Sequence, residues 1–315
     1  MASAASEFAL DPEPGEGVED RFAILPGGRK LSFSEFGDPD GLPVFGFHGT
    51  PGSRLMFRLV HKPAQRTGLR FIAPDRPGFG NSTYQLGRTL AAWAKDTEWL
   101  ANHLGLRRFA VAGISGGGPY AVACAALLPN RVSACALMGP LGPLRQPEGP
   151  KAIGAMHYAM FRIMPEHRLL ANGAFYLSRY LFLNAPDTVY GMIVRRASAA
   201  DRHILSRPDV RENLIDGVGE GLRPGIRGSV QEMRIFSKPW NLPFDAIKAP
   251  VLMWQGMQDR NVPLSAALRL ARLIPTCELS RIDNAGHYWI FEHIDDVLKA
   301  IKQKIAGQPA ETRRE

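Results

Sequence analysis

The stretch Phe109-Ala110-Val111-Ala112-Gly113-Ile114-Ser115-Gly116-Gly117-Gly118-Pro119-Tyr120 constrains the chain more than any other. An apolar run of strand length meets a serine inside a glycine cluster, and a helix-compatible segment follows. The spacing Gly113-x-Ser115-x-Gly117 fits a sharp strand-to-helix turn that holds its serine in a strained backbone conformation. Strand and helix nearly collide there, so the residues two before and two after the serine must be small, and glycine has no Cβ to clash. The start of the following helix aims free N–H groups at whatever the serine attacks. The pattern is short enough to arise by chance, so the rest of the chain decides its meaning.

Apolar runs that end in polar, glycine-rich loops recur on both sides of it. Pro43 to Phe47 runs into His48-Gly49-Thr50-Pro51-Gly52-Ser53, and Arg70 to Ala73 runs into Pro74-Asp75-Arg76-Pro77-Gly78-Phe79-Gly80. Val132 to Met138, Val251 to Trp254 and Cys277 to Ile282 behave likewise. Helical spacing fills the intervals: about Met56 to Arg66, Thr89 to Leu104, Gly116 to about Leu128, Leu264 to Ile274 and about Phe291 to Ala306. Strands alternating with helices predict an α/β protein with a mostly parallel, doubly wound sheet flanked by helices. Arg21 to Ile24 and Lys30 to Phe36 read as a hairpin around Pro26-Gly27-Gly28.

The alternation stops between Gln146 and Trp240, where only helical spacing is found. The expected organisation is a mobile N-terminal tail over 1–20, a core over 21–145 and 241–306, a helical cap inserted over 146–240, and a polar C-terminal tail over 307–315. In the cap Met156, Met160 and Met164 recur at i, i+4, i+8 with Phe161 beside them. That spacing serves helix packing or the lining of an adaptable apolar pocket, which makes these four the candidate substrate-binding residues. Lys151 to Lys238 holds 13 Lys/Arg against 8 Asp/Glu, a difference of +5 that reads as a solvated basic surface.

A serine hydroxyl is a poor nucleophile until a base takes its proton, and the base needs a carboxylate to hold its tautomer. On this kind of turn the expected chain order is Ser, Asp or Glu, His. Ser115, Asp259 and His287 appear in that order, each in a loop directly after a predicted strand. In a parallel sheet such loops share one edge, so the three converge. His293 on the last helix reads as exposed or capping, Asp283 as a turn residue, and Asp245 precedes its strand and falls at the wrong edge. The developing oxyanion needs N–H donors. Gly116 supplies one, and Thr50 the other, since Pro51 has none; the Thr50 hydroxyl is a further candidate donor. His48 reads as a brace for its loop.

A net charge of +8 raises the question of nucleic acid. The basic residues are scattered, with no Lys/Arg run and no nucleic-acid motif, so a small-molecule substrate is expected instead. Cys124, Cys135 and Cys277 form no C-x-x-C pair, which argues against a cysteine metal site and for a reducing, cytoplasmic compartment. No metal site is expected. No apolar stretch reaches the roughly 18 residues of a membrane span, and the N-terminus lacks the features of a secretory signal.

Five motifs in order carry a family resemblance: His48-Gly49-Thr50-Pro51-Gly52, Asp75-Arg76-Pro77-Gly78-Phe79-Gly80-x-Ser82, Gly113-Ile114-Ser115-Gly116-Gly117, Gly256-x-x-Asp259-x-x-x-Pro263 and Ala285-Gly286-His287. From Arg21 to Ala306 the chain resembles the α/β-hydrolase superfamily. The resemblance implies an eight-stranded, mostly parallel sheet, a helical cap, a Ser/Asp/His triad and no cofactor. Serine at 115 disfavours the dehalogenase and epoxide hydrolase branches, which place Asp there. The expected activity is serine hydrolysis of an ester-like acyl bond through an acyl-enzyme. Lactonase, thioesterase, amidase, C–C hydrolase and hydroxynitrile lyase chemistry stay open, as does a non-catalytic small-ligand receptor on the same fold. Neither substrate nor oligomeric state is encoded in a motif.

Overall fold

The computed structural model describes residues 20–307. The tails expected over 1–20 and 307–315 lie outside it, apart from Asp20 and Gly307. Asp20 is not free: its carboxylate takes both Nε and Nη2 of Arg54, at 2.8 and 2.7 Å. The sheet order is β1-β2-β4-β3-β5-β6-β7-β8. The strands are β1 (Arg21–Ile24), β2 (Lys30–Gly37), β3 (Leu42–Phe47), β4 (Leu69–Pro74), β5 (Phe109–Ile114), β6 (Val132–Met138), β7 (Val251–Gly256) and β8 (Cys277–Ile282). Only β2 runs against its neighbours β1 and β4; the other pairings are parallel. β6 is buried at every residue and β5 at all but its last, as continuous apolar runs at the centre of a parallel sheet require.

Helices cover both faces. On one side α2 (Leu90–His103) and α3 (Gly118–Leu127) pack Trp93 and Tyr120 against Phe45, Phe47 and Phe109. On the other, α1 (His61–Thr67) shares a cluster with Phe57, Phe71, Leu298 and Ile301. The helix expected over Met56 to Arg66 forms in two pieces, a 3₁₀ segment Arg54–Val60 and then α1. Pro63 explains the break, because proline is tolerated in a first turn where no N–H is required.

Between β6 and β7 the chain leaves the sheet and forms α4 (Ala155–Tyr158), α5 (Arg168–Asn184), α6 (Pro186–Arg196), α7 (Ala199–Leu205), α8 (Pro208–Leu222) and α9 (Arg227–Phe236). The chain then closes with α10 (Leu264–Leu273) and α11 (Ile294–Ala306). This insertion has two characters. α8 is seated on the loop after β3: a Cβ on Gly221 would come within 2.3 Å of the Gly52 carbonyl oxygen, and Ser53 donates to the Gly217 carbonyl at 2.8 Å. α5 is largely solvent-facing, with only Ala171 and Phe182 buried and Leu169 90% exposed.

The methionine spacing does not produce one face. A π turn over Ala159–Ile163 and a 3₁₀ turn over Met164–Glu166 follow α4. Pro165 has no N–H for the Phe161 carbonyl, so the α-helical pattern cannot continue through it. Met156 and Met160 are exposed, while Phe161 is buried and Met164 packs beside it against the main core.

Candidate active site

The turn after β5 has the geometry that its glycines foretell. Ser115 has φ +53°, a left-handed conformation that a non-glycine residue adopts only where its surroundings hold it. The surroundings are tight. A Cβ on Gly117 would lie 2.0 Å from the Phe47 carbonyl oxygen, and one on Gly113 2.6 Å from that of Gly117. The Ser115 carbonyl accepts from the Leu141 amide at 2.9 Å, tying the turn to the loop after β6. α3 behind it is buried from Gly118 to Ala126, so the serine stands on a fixed support.

The loop after β3 lies beside this turn: the Cβ position of Gly116 is 3.2 Å from the Thr50 amide nitrogen. The two amides chosen from the sequence as oxyanion donors are therefore neighbours. The Thr50 hydroxyl has another task than the one expected of it. It donates to Glu232 on α9 and accepts from Arg76 Nη2 at 3.0 Å, so its single proton is already committed. His48 braces the loop as expected. It is fully buried, its Nε2 accepts from the Arg76 amide at 3.2 Å, and its Nδ1–H donates to the Gly49 carbonyl at 2.8 Å. Burial, with the Arg76 guanidinium adding to it, holds the His48 pKa well below the usual histidine value.

Asp259 and His287 meet. Asp259 Oδ2 lies 2.7 Å from His287 Nδ1 and also accepts from Gln255 Nε2 at 3.2 Å. Its other oxygen accepts the amides of Asn261 and Val262, at 2.8 and 3.1 Å. One carboxylate thus orients the imidazole and fixes its own loop, each through a different oxygen. Burial pushes the Asp259 carboxyl up, but His287 and these amides outweigh it and the pKa falls below the usual value. For His287 burial pushes down, and the Asp259 and Asp201 carboxylates reverse that, leaving its pKa above the usual histidine value. Gly139, at the end of β6, leaves room for the pair: a Cβ there would sit 3.4 Å from His287 Nδ1 and 3.5 Å from Asp259 Oδ2. His293 is elsewhere, 3.5 Å from Asp296 in the first turn of α11, and Asp283 is exposed.

Sequence reasoning missed the carboxylates that the insertion contributes. Glu232 is fully buried between two guanidinium groups: Arg76 Nε at 2.5 Å and Arg88 Nη2 at 2.9 Å. Burial raises its pKa, yet the two arginines dominate and hold it at about 2. Arg76 Nη1 also donates to the His48 carbonyl at 2.5 Å, and Arg88 Nη1 to the Tyr120 hydroxyl at 2.6 Å. Asp201 on α7, 2% exposed, accepts the main-chain amides of His287 and Tyr288. Among the described residues no group of three or more His, Cys, Asp or Glu is placed to hold a metal ion, and no helix is long and apolar enough to cross a membrane.

The profile of a family described as the alpha/beta hydrolase fold matches residues 43–182. A 2-hydroxy-6-oxononadienedioate/2-hydroxy-6-oxononatrienedioate hydrolase from Pseudomonas putida is 26% identical, over 89% of this chain and 94% of the relative. A non-heme chloroperoxidase from Streptomyces lividans is also 26% identical, over 87% of this chain and 97% of its own length. Among solved structures, a thermophilic esterase from Thermogutta terrifontis superposes with a TM-score of 0.65 at 24% identity, covering 91% of this chain and 98% of the esterase.

Proposed function

The chain belongs to the α/β-hydrolase superfamily and is a hydrolase, and from that premise we propose that it is a serine hydrolase acting on an ester-like acyl bond of a small, largely apolar substrate. The observation that carries this reading is the 2.7 Å contact between Asp259 Oδ2 and His287 Nδ1, on the same sheet edge as the strained Ser115. His287 Nε2 accepts the Ser115 proton as the serine oxygen attacks the carbonyl carbon. The carbonyl electron pair moves onto oxygen, where the amides of Thr50 and Gly116 stabilise it. The intermediate collapses, the leaving group departs with the proton from His287, and an acyl-serine remains. Water, deprotonated by His287, repeats the sequence and releases the acid. Asp259 holds the imidazole with Nδ1 protonated and stabilises the imidazolium. Helices α4–α9 act as the cap over this edge, and the half-buried Ile114 next to Ser115 supports an apolar acyl group. Three free cysteines, two of them buried, support a cytoplasmic setting.

A second reading is hydrolysis of a carbon–carbon bond next to a ketone, favoured by the full-length match to the Pseudomonas putida dienedioate hydrolase. The deciding experiment is a fluorophosphonate probe on the wild-type protein and Ser115→Ala, followed by turnover of p-nitrophenyl esters and of a 2-hydroxy-6-oxodienoate. Labelling that requires Ser115, with ester turnover, supports the first reading. Turnover confined to the dienoate supports the second. An unlabelled protein with neither activity refutes both.

A further inference from the structure

We propose that Asp201, on the helical insertion, is a positioning residue for His287: it holds the backbone of the histidine loop, so the loop keeps its working shape only while α7 is seated. This rests on reading His287 as the general base. The carboxylate spans two successive amides. Oδ2 accepts from His287 N and Oδ1 from Tyr288 N, both at 2.8 Å. Asp201 is 2% exposed, so these bonds are sheltered from water. Without it two amides at the candidate base would lose their partners, and a buried unpaired donor is costly.

The loop is shaped to receive this carboxylate. A Cβ on Gly286 would sit 1.8 Å from Asp201 Oδ2 and 2.4 Å from Ser198 Oγ, so no side chain fits there while Asp201 is in place. Ser198 caps α7, accepting from the Asp201 amide at 3.1 Å and fixing the turn from which the carboxylate projects. His287 is thereby held twice: Asp259 sets the ring, and Asp201 sets the backbone that carries the ring.

Three titratable groups face His287 from the elements packed around it: Asp259 after β7, Asp201 on α7, and Tyr288 beside it, whose ring lies 5.4 Å away edge-on. Asp201 and Asp259 both favour the imidazolium. Removing the Asp201 charge therefore lowers the His287 pKa, an effect that loss of packing alone does not specify.

Asp201→Asn keeps the size, removes the charge and offers only one acceptor oxygen to two amides. The expected results are a kcat lower by on the order of 10²-fold with KM changed little, as for a small displacement of a catalytic group, and an acidic limb of the pH–rate profile moved to lower pH. Independently of turnover, NMR titration should show a lower His287 pKa, and hydrogen exchange should show lost protection at His287 and Tyr288. Gly286→Ala, which displaces the carboxylate without removing it, should lower kcat and amide protection in the same way, and the double variant should be far less than additive. A folded Asp201→Asn with unchanged His287 titration and unchanged amide protection overturns the proposal. If Ser115→Ala retains the activity, the triad reading fails, and the titration and exchange measurements still decide the role of Asp201.

Discussion

Replacing Glu232 by Gln should lower the stability of the fold by about 3 kcal/mol and slow the enzyme at the same time. The carboxylate accepts from Arg76 Nε at 2.5 Å, Arg76 Nη2 at 3.0 Å, Arg88 Nη2 at 2.9 Å and the Thr50 hydroxyl. The side chains of Arg76 and Arg88 are 0% and 1% exposed, so water cannot replace what is lost. Removing one partner of a buried ion pair costs roughly 3–5 kcal/mol. The lower end applies because Arg76 keeps the His48 and Gly49 carbonyls and Arg88 keeps the Tyr120 hydroxyl. For a domain of this size that corresponds to a transition lower by on the order of 10 °C. Thr50 loses the acceptor that pins its hydroxyl, so its amide loses its aim at the developing oxyanion, where one donor is worth roughly 10²-fold in turnover.

Urea unfolding and a thermal scan give the first number, and ester turnover well below the transition gives the second. The pH dependence adds a test with a definite sign. Glu232 is held at about 2 in the fold against 4.5 for a free side chain. A depressed carboxyl pKa contributes stability that is present above the unfolded value and lost as pH falls through the folded one. The gap between wild type and Glu232→Gln should therefore narrow on acidification from about pH 5 towards pH 2. A variant within 1 kcal/mol of wild type at neutral pH, or a gap that widens in acid, refutes the reasoning.

The remaining expectations concern the elbow and its base. Ser115→Ala should reduce turnover of an activated ester by at least ~10³-fold and abolish fluorophosphonate labelling. The wild-type kcat/KM should rise with pH through an ionisation above the ordinary histidine value of 6.5, because only the neutral imidazole accepts the serine proton. Asp259→Asn should cost on the order of 10⁴-fold in kcat by releasing the tautomer. Gly117→Ala should fail to accumulate as folded protein, since its Cβ meets the Phe47 carbonyl oxygen at 2.0 Å. Gly219→Ala in α8, with nothing within 4 Å of the new Cβ, should instead stabilise by about 0.5–1 kcal/mol in urea unfolding.

The sheet and its functional edge were legible because they rest on local signals. Val132–Met138 forms β6 with the bounds read from its apolar run, and Thr89 caps α2 where its stripe begins. Ser115, Asp259 and His287 each follow a strand, so chain order alone implied one edge. The methionine stripe was misleading because periodicity assumes an unbroken α-helix, and the π turn over Ala159–Ile163 breaks its register. The Thr50 hydroxyl could not be assigned because its partner lies 182 residues away on α9.

Glu232 and Asp201 share the reason they were overlooked, and the same reason shows how such residues can be found. Each carries a charge on the apolar face of its helix: Asp201 aligns with Ile204 and Leu205 at i+3 and i+4, and Glu232 with Gly228 and Phe236 at i−4 and i+4. Asp201 is further disguised, since Ser198-x-x-Asp201 reads as a capping box whose acid turns back to its own helix. Ser198 makes its half of that box, while the acid reaches across to the histidine loop. A charge on a buried stripe has to find a partner. Arg76 and Arg88 meet that need for Glu232, and the His287 and Tyr288 amides meet it for Asp201. Both partners belong to loops of the sheet edge that carries Ser115. The insertion is therefore divided in its contacts: α7 and α9 are bonded to loops of this edge and α8 is seated on the loop after β3, while α5 is largely solvent-facing and makes none of those bonds.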